Sequence, residues 1–234
     1  MRKGDEKRQE MLAVAERLFC TKGYEATSVQ DILDVLHASK GGFYHHFASK
    51  EMVLDTLCTQ RAERAGVRTE DSLAALTDDM ARLNCVLYGM IPLRREEAPF
   101  LNMILPLLEK PEGRALRVSY QEALAAEFQP ILEREMALAQ DDGVIFPPAQ
   151  ELAGLVLSLV NRCWLEVALH LLDSVHKAQR YEPGTLLTIL EKYRRAVEVL
   201  LDAPYGSVEI VRLEEWAEVA DGVVRNLLMP MRGV

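Results

Sequence analysis

Residues 27–51 read Thr-Ser-Val-Gln-Asp-Ile-Leu-Asp-Val-Leu-His-Ala-Ser-Lys-Gly-Gly-Phe-Tyr-His-His-Phe-Ala-Ser-Lys-Glu, and the reading of this stretch decides the fold. Val29, Ile32, Leu33 and Leu36 recur at helical spacing, and Thr27 with Gln30 three residues on fits a capping box in front of them. His37 and Ala38 then occupy a turn, where a left-handed backbone is often required and His is tolerated better than most residues. Ser39 can cap a third helix over Lys40 to Phe47. There Phe43 and Phe47, four apart, reach inward while Lys40, Tyr44 and His45 point away. Gly41 and Gly42 each cost about 1 kcal/mol of helix propensity, so the pair suggests a backbone that must approach something closely. Ser49 caps a fourth helix whose first residue, Lys50, sits at the unfavourable end of the helix dipole, where a phosphate would explain it better than helix stability does. Two short helices, a tight turn and a basic, aromatic tip are the pattern of a helix-turn-helix.

Outward from this stretch, helical periodicity is nearly continuous and strand signals are nearly absent. A first helix runs from about Asp5 to Lys22, with Met11, Leu12, Ala15, Leu18 and Phe19 on one stripe and Gly23 as its stop. Beyond about Arg64 longer helices are expected near Asp71 to Met90, Ala98 to Glu109, Gly113 to Gln140, Ala149 to Ser174, Thr185 to Asp202 and Val208 to Leu228. Pro106 and Pro130 should kink or split two of them, and Pro147-Pro148 and Pro204 to Gly206 mark breaks. The fold class is therefore all-α: an N-terminal three-helix helix-turn-helix head over residues 1–50, followed by a larger helical body over residues 51–234.

The composition, 49% hydrophobic and 27% charged in 234 residues, is enough for a substantial core. The net charge of −9 argues against a nucleic-acid binder only until it is divided. Residues 1–50 hold eight Lys/Arg against seven Asp/Glu, whereas the remainder holds 19 against 29, so any surface that meets a polyanion must be small and local. Cys20, Cys58, Cys85 and Cys163 show no paired spacing and suit buried thiols in a reducing cytoplasm. The first residues are charged, unlike a secretory signal, and the apolar window Leu152 to Leu172 carries Asn161, Arg162, Glu166 and His170, a load a membrane span rarely tolerates. No membrane partner is expected, and the localisation expected is cytoplasmic.

Thr27-Ser28-Val29 through Ile32-Leu33, Ser39 through Phe47, and Ser49-Lys50-Glu51 resemble the TetR-type (TetR/AcrR-like) transcriptional regulators over the first fifty to sixty residues. The resemblance implies a homodimer, each subunit offering one DNA-reading head to a double-stranded operator, with a body that binds a small-molecule effector and carries the dimer interface. It also implies DNA contacts: Lys40, Gly42, Tyr44 and His45 toward the major groove, and Thr27, Ser28 and Lys50 as phosphate clamps. His46 is read as a partly buried neighbour of the first helix. Two positions depart from the family's pattern, His37 where Gly is usual and Gly42 where Thr is frequent. Base reading then rests on Lys40, Tyr44 and His45, helped by DNA shape.

In the body, Asn84, Tyr88, Asn102, Tyr120, Asn161, Trp164 and His170 lie within apolar helices where polar atoms need partners, and they are candidates to line an effector pocket. The effector expected is small and apolar or aromatic. The helix from Ala149 is apolar almost all round, so it and its successor are expected to form a four-helix bundle with a second copy. No nucleophile motif, metal-ligand spacing or phosphate-binding glycine loop points to an enzyme, and no cofactor is implied. The competing reading is a helical protein-interaction module without sequence-specific DNA binding.

Overall fold

The computed structural model describes residues 3–92, 94–146, 149–177 and 183–228, and among these there are helices and connections but no strand. The helices are α1 (Lys3–Lys22), α2 (Val29–Leu36), α3 (Lys40–His46), α4 (Lys50–Leu73), α5 (Asp79–Gly89), α6 (Ala98–Ile104), α7 (Pro111–Asp141), α8 (Ala149–His176), α9 (Pro183–Leu201) and α10 (Leu213–Leu228). Short 3-10 turns at Arg95–Glu97 and Leu105–Leu107 flank α6. The fold is all-α, as expected from the sequence.

Two apolar cores form. One gathers Met11, Leu12, Ala15 and Phe19 of α1, Ile32 and Leu33 of α2, Phe43 and Phe47 around α3, and Val53 to Cys58 of α4. The other fills the bundle of α4, α5 and α7 to α10. α4 belongs to both, so the boundary read at residue 50 falls at its first turn and the head's core continues as far as Cys58. Phe100, Met103 and Ile104 of α6 and Leu116 of α7 close the head's core from the body side.

Several expected boundaries move, each for a local reason. The helix expected over Asp71 to Met90 is two helices, because the Asp78 carboxylate accepts the Ala81 N–H at 2.7 Å and starts α5 afresh after a turn at Ala74 and Ala75. Gly89 lets α5 cross α4 closely: a Cβ there would meet the Thr69 hydroxyl oxygen at 2.1 Å. Pro106 ends α6 as expected, whereas Pro130 sits within an unbroken α7. The expected helix from Val208 begins only at Leu213. Val208, Ile210 and Val211 are buried in an irregular segment whose backbone is pinned by side chains. Asn84 donates to the Ser207 carbonyl and accepts the Glu209 N–H, both at 2.8 Å, and buried Glu198 accepts the Gly206 N–H at 2.7 Å. The break read at Pro147-Pro148 lies outside the described residues.

The stretch Glu151–His176 is long and apolar enough to cross a membrane by length and composition, with mean hydropathy 1.5 in its most apolar window, yet here it packs between α7 and α9. Of the four cysteines, Cys58 and Cys163 are fully buried, and burial pushes both thiols up to about 12. Cys20 and Cys85 are only half-buried, which corrects the expectation of four buried thiols.

His37 closes α2 in the left-handed region, at φ 49° and ψ 40°. Its side chain is exposed, so little packing offsets the backbone strain. His37→Gly is therefore expected to stabilise the protein by about 0.5–1 kcal/mol, left-handed strain of about 1–2 kcal/mol being partly offset by glycine's greater freedom when unfolded. A urea midpoint that stays put or falls would contradict this.

Candidate nucleic-acid interface and its link to the body

The tip of the head is built on a buried aromatic pair. Phe43 and Phe47 are both fully buried with ring centroids 5.9 Å apart, and they fix which face of α3 looks outward. That face carries Lys40, Gly41, Tyr44 and His45, all exposed, Tyr44 at 56%. The Tyr44 ring leans edge-on against Phe43 at 5.4 Å, so it is held upright from the core rather than waving in solvent. His45 and His46 stack edge to face at 5.0 Å, with His46 the more buried, as the sequence suggested. α3 contains no acidic residue, which leaves its exposed face cationic or neutral in an acidic chain. Gly42 has only the Ser39 hydroxyl near a would-be Cβ, at 3.4 Å, and Gly41 has nothing within 4 Å. The close approach inferred from the glycine pair is thus not to another part of this chain.

Three residues assigned to phosphate are placed differently. Thr27 is fully buried, and its hydroxyl donates to the Gly23 carbonyl at 2.8 Å, so it cannot reach a phosphate. It ties α1's exit to α2's entry instead. Ser28, not Thr27, caps α2, and its capping box closes with Asp31 rather than Gln30: the Ser28 hydroxyl accepts the Asp31 N–H at 3.1 Å while Asp31 accepts the Ser28 N–H at 2.7 Å. Ser28 remains exposed at the helix start. The Asp31 carboxyl is held well below its ordinary value, first by the Lys22 ammonium at 2.8 Å and then by Ser28. Because its pKa is depressed, this contribution is present above the usual carboxylate range and is lost as pH falls.

Lys50 donates to the Tyr24 and Thr27 carbonyls at 2.9 and 3.0 Å and sits 4.2 Å from the centre of the Tyr24 ring. A lysine at the wrong end of a helix dipole is thus accounted for within the chain: its ammonium satisfies two loop carbonyls and an aromatic face. The sequence reading missed these acceptors because they lie 26 and 23 residues away.

Behind the head, Arg61 of α4 makes the principal polar contact with the body. Its guanidinium pairs with Glu16 of α1 at 2.5 Å and with Glu97, and it stacks over the Phe100 ring at 4.0 Å. Glu97 is buried and has a second partner in Arg68 at 3.3 Å. Phe100 is also a wall of a narrow cavity of about 30 Å³ shared with Pro92, Ile104, Tyr120, Asn161 and Trp164. That volume holds about one water, so this cavity as it stands has no room for a larger molecule.

Of the candidate pocket residues, Tyr120, Asn161 and Trp164 line this cavity, and the others do not. Burial raises the Tyr120 hydroxyl's pKa above its ordinary value. Asn84 is the clamp of the 207–209 segment, and Tyr88 donates its hydroxyl proton to Glu215 at 2.5 Å. Asn102 and His170 each keep a buried polar atom without a hydrogen-bond partner, Oδ1 and Nε2, but neither lines the cavity. Arg117 and Gln121 are the polar lining that was not singled out. Glu166, which could have paired along α8 with Arg162, instead reaches α9, bonding Lys192 at 2.6 Å and Tyr193 at 2.8 Å.

Residues 11–57 match the family model described as bacterial regulatory proteins, tetR family. The HTH-type transcriptional repressor KstR2 of Mycobacterium tuberculosis is 35% identical over 77 residues, 33% of this chain and 38% of that protein. The HTH-type transcriptional repressor AcnR of Corynebacterium diphtheriae is 36% identical over 75 residues, 32% and 40% of the two chains. The matches thus span less than half the length of these relatives. A TetR-family transcriptional regulator from Pectobacterium atrosepticum superposes with a TM-score of 0.58 at 18% identity, over 87% of this chain and 99% of that one, which extends the shared fold through the body. These matches are to regulators and not to enzymes.

The head's internal bonds and its junction are separable. Ser28→Ala should cost about 1 kcal/mol through loss of the cap. Arg61→Leu should cost about 2–4 kcal/mol, since it leaves Glu97 buried with one cation fewer. In native-state hydrogen exchange, Arg61→Leu should speed exchange in α1 to α3 far more than in α8 and α9. Equal acceleration throughout would show that Arg61 is not what couples head and body.

Proposed function

We propose, from the premise that residues 11–57 are the DNA-binding head of the tetR family, that the whole chain is a homodimeric, effector-responsive transcriptional repressor of the cytoplasm. The observation that carries this reading is the outward face of α3, where Lys40, Tyr44 and His45 stand exposed on a spine of two buried phenylalanines. Such a helix enters a major groove, with Lys40, Tyr44 and His45 reaching base edges or flanking phosphates and Gly42 allowing the backbone to approach. Ser28 and the free amides at the start of α2 are the adjacent phosphate contact. Lys50 holds the loop beside it and can offer its third N–H.

One such head reads only a few base pairs, so useful affinity needs two, about 34–36 Å apart on a pseudo-palindromic operator. The body supplies a face for pairing. On α8, Leu155, Arg162 and Leu169 follow one another at heptad spacing with both leucines exposed, and on α9 Val199 is exposed at 63% beside Ala196 and Leu200. Two copies of this pair would bury them as a four-helix bundle.

The effector reading rests on the position of the narrow cavity. Phe100 and Tyr120 form its wall and also pack against the head's core, and Arg61 stacks on Phe100 while it holds Glu16 of α1. A small apolar or aromatic molecule that widened the cavity would push on both rings and shift Arg61. The head spacing would then change, and DNA and effector would weaken each other by the same factor. Arg117, Gln121 and Asn161 are available to hold a polar edge of that molecule.

Selection from random duplex DNA at near-physiological salt tests this reading, with light scattering to establish the oligomer. An enriched inverted repeat is expected, and Lys40→Ala with Tyr44→Ala should weaken its binding at least about tenfold and lower the salt dependence. A dimer that enriches nothing would favour a protein-interaction module instead.

A further inference from the structure

Apart from the narrow cavity, a separate, open pocket of about 520 Å³ lies on the outer side of α5, walled by Ser72, Asn84, Cys85, Tyr88, Arg94 and Arg212. Its unusual feature is two cations that form no ion pair among the described residues, although Asp78 and Glu209 also line the pocket and Glu215 sits on the Tyr88 hydroxyl. In a chain with 36 acidic side chains against 27 Lys and Arg, most arginines near the core are held by carboxylates: Arg61, Arg68, Arg82 and Arg194 all are. Arg94 and Arg212 have no carboxylate within 4 Å among the described residues. Instead both guanidiniums stack on the same ring, 4.6 and 4.9 Å from the centre of Tyr88, so they cannot be further apart than those two distances together.

Holding two like charges together costs energy unless something of opposite sign joins them. Tyr88 is 8% exposed, and its hydroxyl is fixed to Glu215, so the platform on which both cations rest is rigid before any ligand arrives. The carboxylates that also line the pocket do not complete the set. Asp78 is engaged as the cap of α5, and Glu209 is exposed and forms no ion pair with either arginine. The field reaches the pocket floor: burial raises the pKa of the Cys85 thiol, while Arg94, then Arg212 and Arg82, pull it back down.

We propose that the Arg94–Tyr88–Arg212 platform is a binding site for an oxyanion, a phosphate or carboxylate group of a small metabolite, with the second amide N–H of Asn84, beyond the one held by Ser207, as a neutral donor beside it. Guanidinium forks suit both groups, and stacking on the ring leaves their N–H edges free for them. The site stands apart from the narrow cavity and from α3, so it does not depend on whether the chain reads DNA.

Inorganic phosphate is the first probe, titrated into the full-length protein at constant ionic strength. One saturable site per chain is expected, abolished in Arg94→Gln/Arg212→Gln and retained in Arg95→Gln, an exposed neighbour paired with Glu218. Alkylation of Cys85, followed by mass spectrometry in the unaltered protein, locates the site without relying on a variant's folding. At ten times the dissociation constant, phosphate should slow that alkylation about tenfold. A carboxylate probe such as succinate then separates recognition of phosphate from recognition of carboxylate. No saturable binding of either probe, or saturation that leaves Cys85 as reactive as before, would overturn the proposal.

Discussion

Arg61 brings together two carboxylates from different parts of the fold, Glu16 on the first helix of the head and Glu97 at the turn that leads into α6. Its side chain is only 12% exposed, and that of Glu97 8%, so the attraction operates at low dielectric and the desolvation cost is large. Such a cluster contributes little net stability over an apolar packing of the same shape. What it specifies is geometry: a head placed otherwise on α4 would leave buried charges unpaired, at several kcal/mol. The position of α3 in space is thereby tied to the position of α6.

This constraint explains why the α4 helix is continuous. Its first turns fill the head's core with Val53, Leu54 and Leu57, and its last ones fill the body's core with Ala62, Ala65 and Leu73. The small residues of the second half let α5 and α7 come close, as at Gly89 against Thr69. A displacement felt at Phe100 or Tyr120 is therefore not absorbed in a flexible linker. It passes through Arg61, through the helix itself and through the direct packing of α6 on the head's core, and all three routes end at the head.

The sequence made the head legible almost to the residue because its signals are local. Helical spacing placed Phe43 and Phe47 inside and Tyr44 outside, and the turn at His37 is left-handed as its position suggested. The errors arise where the partner is distant in sequence. Thr27 and Lys50 are polar residues beside an expected DNA surface, and only the fold shows that the first is buried and the second already holds two carbonyls. In the body the same limit is more severe. Asn84 and Tyr88 have the polarity expected of ligand contacts, but their partners, more than 120 residues away, make them parts of the frame. Val208 to Val211 has the apolar content of a helix, and what prevents one is the pair of side-chain clamps from Asn84 and Glu198.

The charge distribution acquires a physical meaning from the same geometry. The buried acidic residues of the body are engaged with arginines: Glu135 with Arg82 and Arg134, Glu198 with Arg194 and Arg195 along α9, Glu97 with Arg61 and Arg68. These pairs cancel locally, so the surplus of negative charge is left to exposed carboxylates, which repel a polyanion within about one Debye length, roughly 8–10 Å at ordinary salt. The acid-free face of α3 projects from that background at one end of the molecule. In the proposed reading, a weakly cationic tip on an acidic body would be oriented on DNA by the body's repulsion as much as by the head's attraction.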